Sequence, residues 1–285
     1  VTTAEPSRPA PRPAGEARTT TSGPALDLTP RPGAAPLGRM IAAQAALETR
    51  MLLRHGEQLL LTVIIPTLLL VLFSAVRIID TGDGGDTVAG RVAFLAPGVL
   101  ALAVLSTAFT GQAISTGFER RYGVLKRLGA SPLPRWALLT AKSASVAVTL
   151  VLQITLLSAV ALALGWSPAG GVAGWAAALA LLVPGAAALS ALGLLMAGTL
   201  RAEATLAAAN LIFVLLMFGG GVVVPLENFP EAVRTVLELL PVAALAEGLR
   251  EVLQHGGPLP WDRLAVLAAW AVAGTAAAAR WFRWE

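Results

Sequence analysis

The chain alternates long uncharged stretches with short charged ones. Nineteen uncharged residues separate Glu57 from Arg77, 27 separate Arg91 from Glu119, 58 lie between Lys142 and Arg201, and 23 lie between Glu203 and Glu227. A helix needs about 20 largely apolar residues to cross a bilayer. Each run therefore predicts one span, and the longest predicts two, with Gly165-Trp166-Ser167-Pro168-Ala169-Gly170-Gly171 as the turn between them. Trp166 and Trp175 fit aromatic anchors near one interface. A last run of 16 residues between Arg263 and Arg280 makes only about 24 Å of helix. It reaches across if both arginines snorkel and Trp261 and Trp281 mark the two interfaces. The predicted spans are 59–79, 92–114, 143–164, 173–198, 206–224 and 264–281. Pro66 predicts a kink in the first.

The connecting segments carry their own patterns. Over 37–58, Met40, Ala43, Leu47 and Met51 share one side while Glu48, Arg50 and Arg54 keep another wet. That predicts an interfacial helix leading into the first span. His55 has no second histidine within helical reach and reads as a surface residue. Asp80, Asp83 and Asp86 lie in a turn-rich loop without the ligand order of a calcium-binding loop. From 117 to 129, Phe118, Tyr122, Leu125 and Leu128 recur at helical spacing beside a cluster of charges, predicting an amphipathic helix. Two further amphipathic pieces, 229–240 and 242–254, are too polar and interrupted to span, and are placed at the outer surface. Residues 1–36 hold eight of the nineteen prolines and predict a disordered tail. No apolar run follows their arginines, so they do not read as a secretory signal.

Composition agrees with a membrane protein: 56% hydrophobic residues, 13% charged, mean hydropathy +0.72. The formal net charge of +4 reflects leaflet topology, because the basic residues form no continuous groove for nucleic acid. Loop charges set the orientation. Residues 117–142 hold six basic residues and one acid, whereas 225–263 hold three basic and six acidic ones. By the positive-inside bias the first of these, the turn at Arg201 and both termini are cytoplasmic. The absence of cysteine excludes disulfides and thiolate chemistry.

No motif for covalent chemistry is present: no paired histidines, no phosphate-binding glycine-lysine loop, no nucleophile elbow. No residue set suggests a metal or a bound cofactor, and an intramembrane enzyme lacks its acids, histidines or serine–lysine pair. The spans are nearly free of ionisable groups, which counts against ion-coupled transport. Their polar content is hydroxyls and amides: Ser106, Thr107, Thr110 and Gln112 in the second span, Asn210 in the fifth, followed by Gly219, Gly220 and Gly221. Such groups need protein or water around them in hydrocarbon, so they are the candidate pathway lining. Helix packing by the same small and hydroxyl residues is the competing reading. Uphill movement would take its energy from another subunit.

Glu119-Arg120-Arg121, Gly123 and Leu125-Lys126-Arg127-Leu128-Gly129-Ala130-Ser131-Pro132 are similar to the motif between the second and third helices of ABC-2 type exporter permeases, including daunorubicin-type drug-efflux permeases. Leu240-Pro241 to Gly248-Leu249-Arg250 resembles the region ahead of that family's final span, and the likeness covers nearly all of 37–285. It implies an all-α integral membrane fold of six transmembrane helices, with an N-terminal interfacial helix, a cytoplasmic coupling helix and short external helices before the last span. It also implies that Glu119, Arg120, Arg121 and Lys126, with Tyr122 and Arg127 beside them, meet a separate ATPase subunit. Two ATPase subunits would bind the ATP and Mg, and this chain would bind no cofactor. A second copy or a homologous permease would complete the pathway in a bacterial cell membrane. The implied cargo is a small hydrophobic or amphipathic compound, drug-like or lipid. Few aromatics line the spans, which argues against a glycan, and the external segments are short. A non-transporting binding or sensing subunit of the same fold is the alternative, separated by whether flux depends on ATP hydrolysis.

Overall fold

A computed structural model describes residues 35–54, 56–75, 87–130, 133–222 and 226–283, all within one compact unit. The proline-rich tail to residue 34, His55, the 80–86 aspartate loop and Pro225 lie outside the described residues. The described residues form an all-α bundle. Its helices are α1 (Leu37–Arg54), α2 (Gly56–Ala75), α3 (Val88–Val104), α4 (Gln112–Arg121), α5 (Val124–Gly129), α6 (Arg135–Ala163), α7 (Gly171–Thr199), α8 (Ala202–Gly219), α9 (Glu231–Leu237), α10 (Pro241–Leu253) and α11 (Trp261–Trp281). A π-helical segment, Leu105–Gly111, joins α3 to α4.

Among the described residues five stretches are long and apolar enough to cross a membrane: Val88–Arg121, Trp136–Ala163, Gly171–Thr199, Ala202–Gly219 and Trp261–Trp281. The expected first span falls on α2, whose Val63–Ala75 part is a shorter apolar helix. Pro66 lies within α2. The expected second span runs on through the charged residues to Arg121, because nothing between Val88 and Arg121 breaks the helix. The fifth ends at Gly219, where Gly220 and Gly221 turn the chain away; Gly221 takes a φ of 68° that only glycine adopts without strain.

α3 is the centre. Beyond its first turn it is apolar on every side, as a helix surrounded by other helices must be; Val92 and Phe94 to Val104 are buried, and so is Arg91, whose Nε donates to the Ser74 carbonyl of α2 at 2.7 Å. α6, α7 and α10 pack around it. Small residues let backbones approach: a Cβ on Gly98 would sit 2.5 Å from the Val222 carbonyl oxygen, and one on Gly193 would sit 2.7 Å from that of Phe109. α8 and much of α6 and α11 turn apolar side chains outward, Leu211, Leu215, Val151 and Val272 among them.

Three expectations are corrected. The 242–254 piece is not a surface helix: α10 is buried along most of its length. Ala243, Ala244, Ala246 and Gly248 make it slim enough to enter the bundle, and its charged side is satisfied internally. Trp166 is no interface anchor; it is buried in the core, edge-on to Trp175 with ring centroids 5.9 Å apart. Trp261 and Trp281, in contrast, are exposed at the two ends of α11. On α1, Glu48 is buried whereas Leu47 and Met51 are exposed, because α1 lays the Glu48 side against α6.

Candidate functional site

The π-helical segment is the local departure that shapes the site. Its wider turn rotates the residues that follow, and such segments recur at functional positions. Beside it lies a cavity of about 480 Å³ bounded by α1, the π segment, α4, α5 and α6. Ser106, Thr107 and Gln112 line it. Thr110 does not; it is half-buried, and its hydroxyl finds no partner. Asn210 stands on the exposed side of α8 and donates to the Leu206 carbonyl 2.9 Å away, while Gly219, Gly220 and Gly221 end α8. These four residues line no part of the cavity.

The cavity wall combines apolar and ionised groups. Leu47, Met51, Leu52, Phe118, Val124 and Leu128 supply apolar surface. Lys142, from α6, is buried with its Nζ 3.3 Å from Glu48 Oε2 of α1 and 2.5 Å from Glu119 Oε2 of α4. Gln44 Nε2 donates to Glu48 Oε1 at 3.0 Å. Burial pushes the Glu48 carboxyl above its usual range, outweighing the attraction of Lys142 and the Gln44 hydrogen bond that pull it down. Deeper in, Thr107 Oγ1 donates to Gln153 Oε1 at 2.8 Å, and Ser190 Oγ donates to Gln112 Oε1. Gln112 Nε2, Thr116 Oγ1 and Ser145 Oγ are buried without a partner. Nothing among the described residues clusters as a metal site.

The charged stretch beside the cavity is two helices. α4 ends at Arg121, Gly123 turns the chain at a φ of 70°, and α5 begins at Val124. The single helix over 117–129 is therefore corrected: a left-handed glycine interrupts it. Leu125 is buried and Phe118 and Leu128 are half-buried; Tyr122 stacks on Phe118 with ring centroids 6.1 Å apart, yet stays exposed at the break. Glu119 turns inward to Lys142. Arg120 donates to the Leu200 carbonyl at the end of α7. Arg121 pairs with Glu203 of α8, and both remain exposed. Lys126 and Arg127 are exposed on α5.

A third polar centre lies on α10. Arg250 is buried, donates to the carbonyls of Gly221 and Val222 (3.2 Å for Val222), pairs with Glu247, and lies 4.4 Å over the Phe94 ring. It fastens the end of α8 to α3 through α10. Sequence reasoning missed Glu48, Lys142 and Arg250 as internal groups. Lys142 and Arg250 are charges on the otherwise apolar side of a helix, where a buried partner is the default expectation; Glu48, grouped with Arg50 and Arg54, carried no such signal.

A comparison with protein families matches residues 43–253 to the family described as ABC-2 type transporter. A comparison with curated proteins finds no match.

Proposed function

Because the chain belongs to the ABC-2 type transporter family, we propose that it is the membrane-spanning subunit of an ATP-driven exporter of the drug-efflux kind, energised by separate ATPase subunits. The chain itself is a multi-pass membrane permease with no catalytic role. The observation that carries the proposal is the junction of cavity and charged turn: Glu119, Tyr122, Val124 and Leu128 belong to both. A partner that moves α4 or α5 would change the cavity directly. Arg121, Tyr122, Lys126 and Arg127, exposed on that turn, form the docking surface. Glu119 and Arg120 hold it to α6 and α7 from inside.

In this reading α2 is the first of six spans, α1 is interfacial, and both termini and the α4–α5 turn are cytoplasmic. α9 and α10 precede the last span on the other side, with α10 re-entrant. A small hydrophobic or amphipathic compound enters from the cytoplasm or inner leaflet at the cavity lined by Ser106, Thr107 and Gln112. The exposed side of α8, carrying Asn210, meets a second copy or a homologous permease. Gly219, Gly220 and Gly221, locked by Arg250, lie toward the exit.

Reversing charge at Arg121 and Lys126 together tests the docking surface. Each unpartnered interfacial charge costs about 2–5 kcal/mol, so the double variant inserts in the membrane but loses its ATPase subunit on purification. Copurification at the wild-type ratio contradicts the proposal.

A further inference from the structure

Three carboxyl or amino groups line the cavity, and acids outnumber bases. Glu48 and Glu119 bring two carboxylates; Lys142 brings one ammonium and lies between them. Every other lining residue is neutral. Lys142 is buried and committed to both acids, so it is unavailable to a phosphate or carboxylate in the cavity. An anionic head would meet two carboxyl groups whose one ammonium is already taken. A second ammonium would bring the cluster to two against two, the arrangement that low-dielectric surroundings favour.

A second, independent observation lies in the same cavity, on α4 and α6. Gln112 Nε2, Thr116 Oγ1 and Ser145 Oγ carry no hydrogen bond, and their residues are at most 4% exposed. Buried polar atoms left without partners are costly and mark a place where a ligand or water completes the set. Leu47, Met51, Phe118 and Leu128 supply apolar surface to the same cavity. A volume of about 480 Å³ is in the range of small-molecule sites.

We propose that this cavity binds an amphipathic organic cation. Its protonated amine lies against Glu48 and Glu119, its apolar body runs along α1 and α5, and a hydroxyl or carbonyl group reaches Gln112, Thr116 and Ser145. A zwitterionic lipid head suits the site less, since its phosphate would accompany the amine to the two carboxylates. The inference rests on the exporter reading only for the claim that the bound cation is cargo.

The test uses the full chain in nanodiscs of choline-headgroup lipid. The probes are a dansyl-labelled alkyl primary amine and its uncharged N-acetyl analogue, read by fluorescence titration. The amine is expected to bind about tenfold tighter than the analogue, with that preference falling to about twofold or less in Glu48→Gln and in Glu119→Gln. Glu231→Gln, on α9, keeps it. The N-acetyl analogue reports whether the cavity is intact, so a variant that loses both probes is set aside and the other carboxylate decides. Equal affinities in the wild type, no binding of either probe, or an undiminished preference in both carboxylate variants overturns the inference. Displacement of the amine by ethanolamine-headgroup lipid assigns the site to lipid and also overturns it. Selective binding without ATP-driven flux leaves the cation site standing and removes the exporter reading; flux without amine preference does the reverse.

Discussion

Lys142→Met is the most informative perturbation of the fold. The lysine is buried between two carboxylates, with Glu48 nearly as enclosed and Glu119 about a quarter exposed. Removing one member of a buried ion cluster leaves uncompensated charge and costs about 3–5 kcal/mol. For a chain of this size that lowers the midpoint of thermal unfolding by on the order of 10 °C. Glu48→Gln acts in the opposite sense. Burial already disfavours the Glu48 carboxylate, so this variant stays at or above wild type near neutral pH. The sign of the pH effect follows. A raised carboxyl pKa contributes stability that is complete below the unfolded carboxylate pKa and is lost as pH rises through the folded value. Wild type therefore loses ground to Glu48→Gln as pH rises through that window, with Lys142, Glu119 and Gln44 as the groups facing Glu48. The triple variant Glu48→Gln, Lys142→Met, Glu119→Gln returns close to wild type, since no charge is left buried. Size-exclusion profiles after heating in detergent give the midpoints. A Lys142→Met midpoint equal to wild type, or a Glu48→Gln loss as large as that of Lys142→Met, refutes the reasoning.

Arg250→Ala leaves Glu247 and the Gly221 and Val222 carbonyls without their donor and is expected to cost about 3 kcal/mol or more in the same assay. Gly98→Ala places a methyl 2.5 Å from the Val222 oxygen and is expected to destabilise by about 1–3 kcal/mol, so that α3 and the Val222 turn separate. Gly123→Ala forces a left-handed alanine between α4 and α5 at about 1–2 kcal/mol; it is expected to weaken recovery of the ATPase subunit while leaving monomer folding intact by size exclusion. A single cysteine at Lys126 is expected to stay unlabelled by impermeant reagents added to intact cells while one in the 80–86 loop reacts, and the converse pattern reverses the orientation.

Much of the bundle was legible because uncharged run length is set by the bilayer rather than by any partner. The turn at Gly165–Gly171 and the extent of α7 followed from it directly, whereas the fifth span, expected to run to 224, ends at Gly219. The cavity residues Ser106, Thr107 and Gln112 were legible as polar groups in an apolar helix. What placed them together with Glu48, Lys142 and Glu119 was the π-helical segment, which leaves no mark in hydrophobic periodicity. α10 misled because periodicity shows that a helix has a polar side without showing whether water or other protein satisfies it; here the Gly221 and Val222 carbonyls do. Glu119 was taken as outward for the same reason. A charge beside a basic cluster reads as surface until its partner, 23 residues on at Lys142, is brought alongside by the fold.

The exporter reading is tested most directly by flux. Purified chain and its ATPase partner are reconstituted in proteoliposomes, and movement of a dansyl alkylamine is followed with ATP and with a non-hydrolysable analogue. ATP-dependent movement that stops with the analogue, and with Arg121 and Lys126 reversed, is the expected result. Movement of the probe at equal rates with and without hydrolysis, or none in a complex whose ATPase is active, contradicts it.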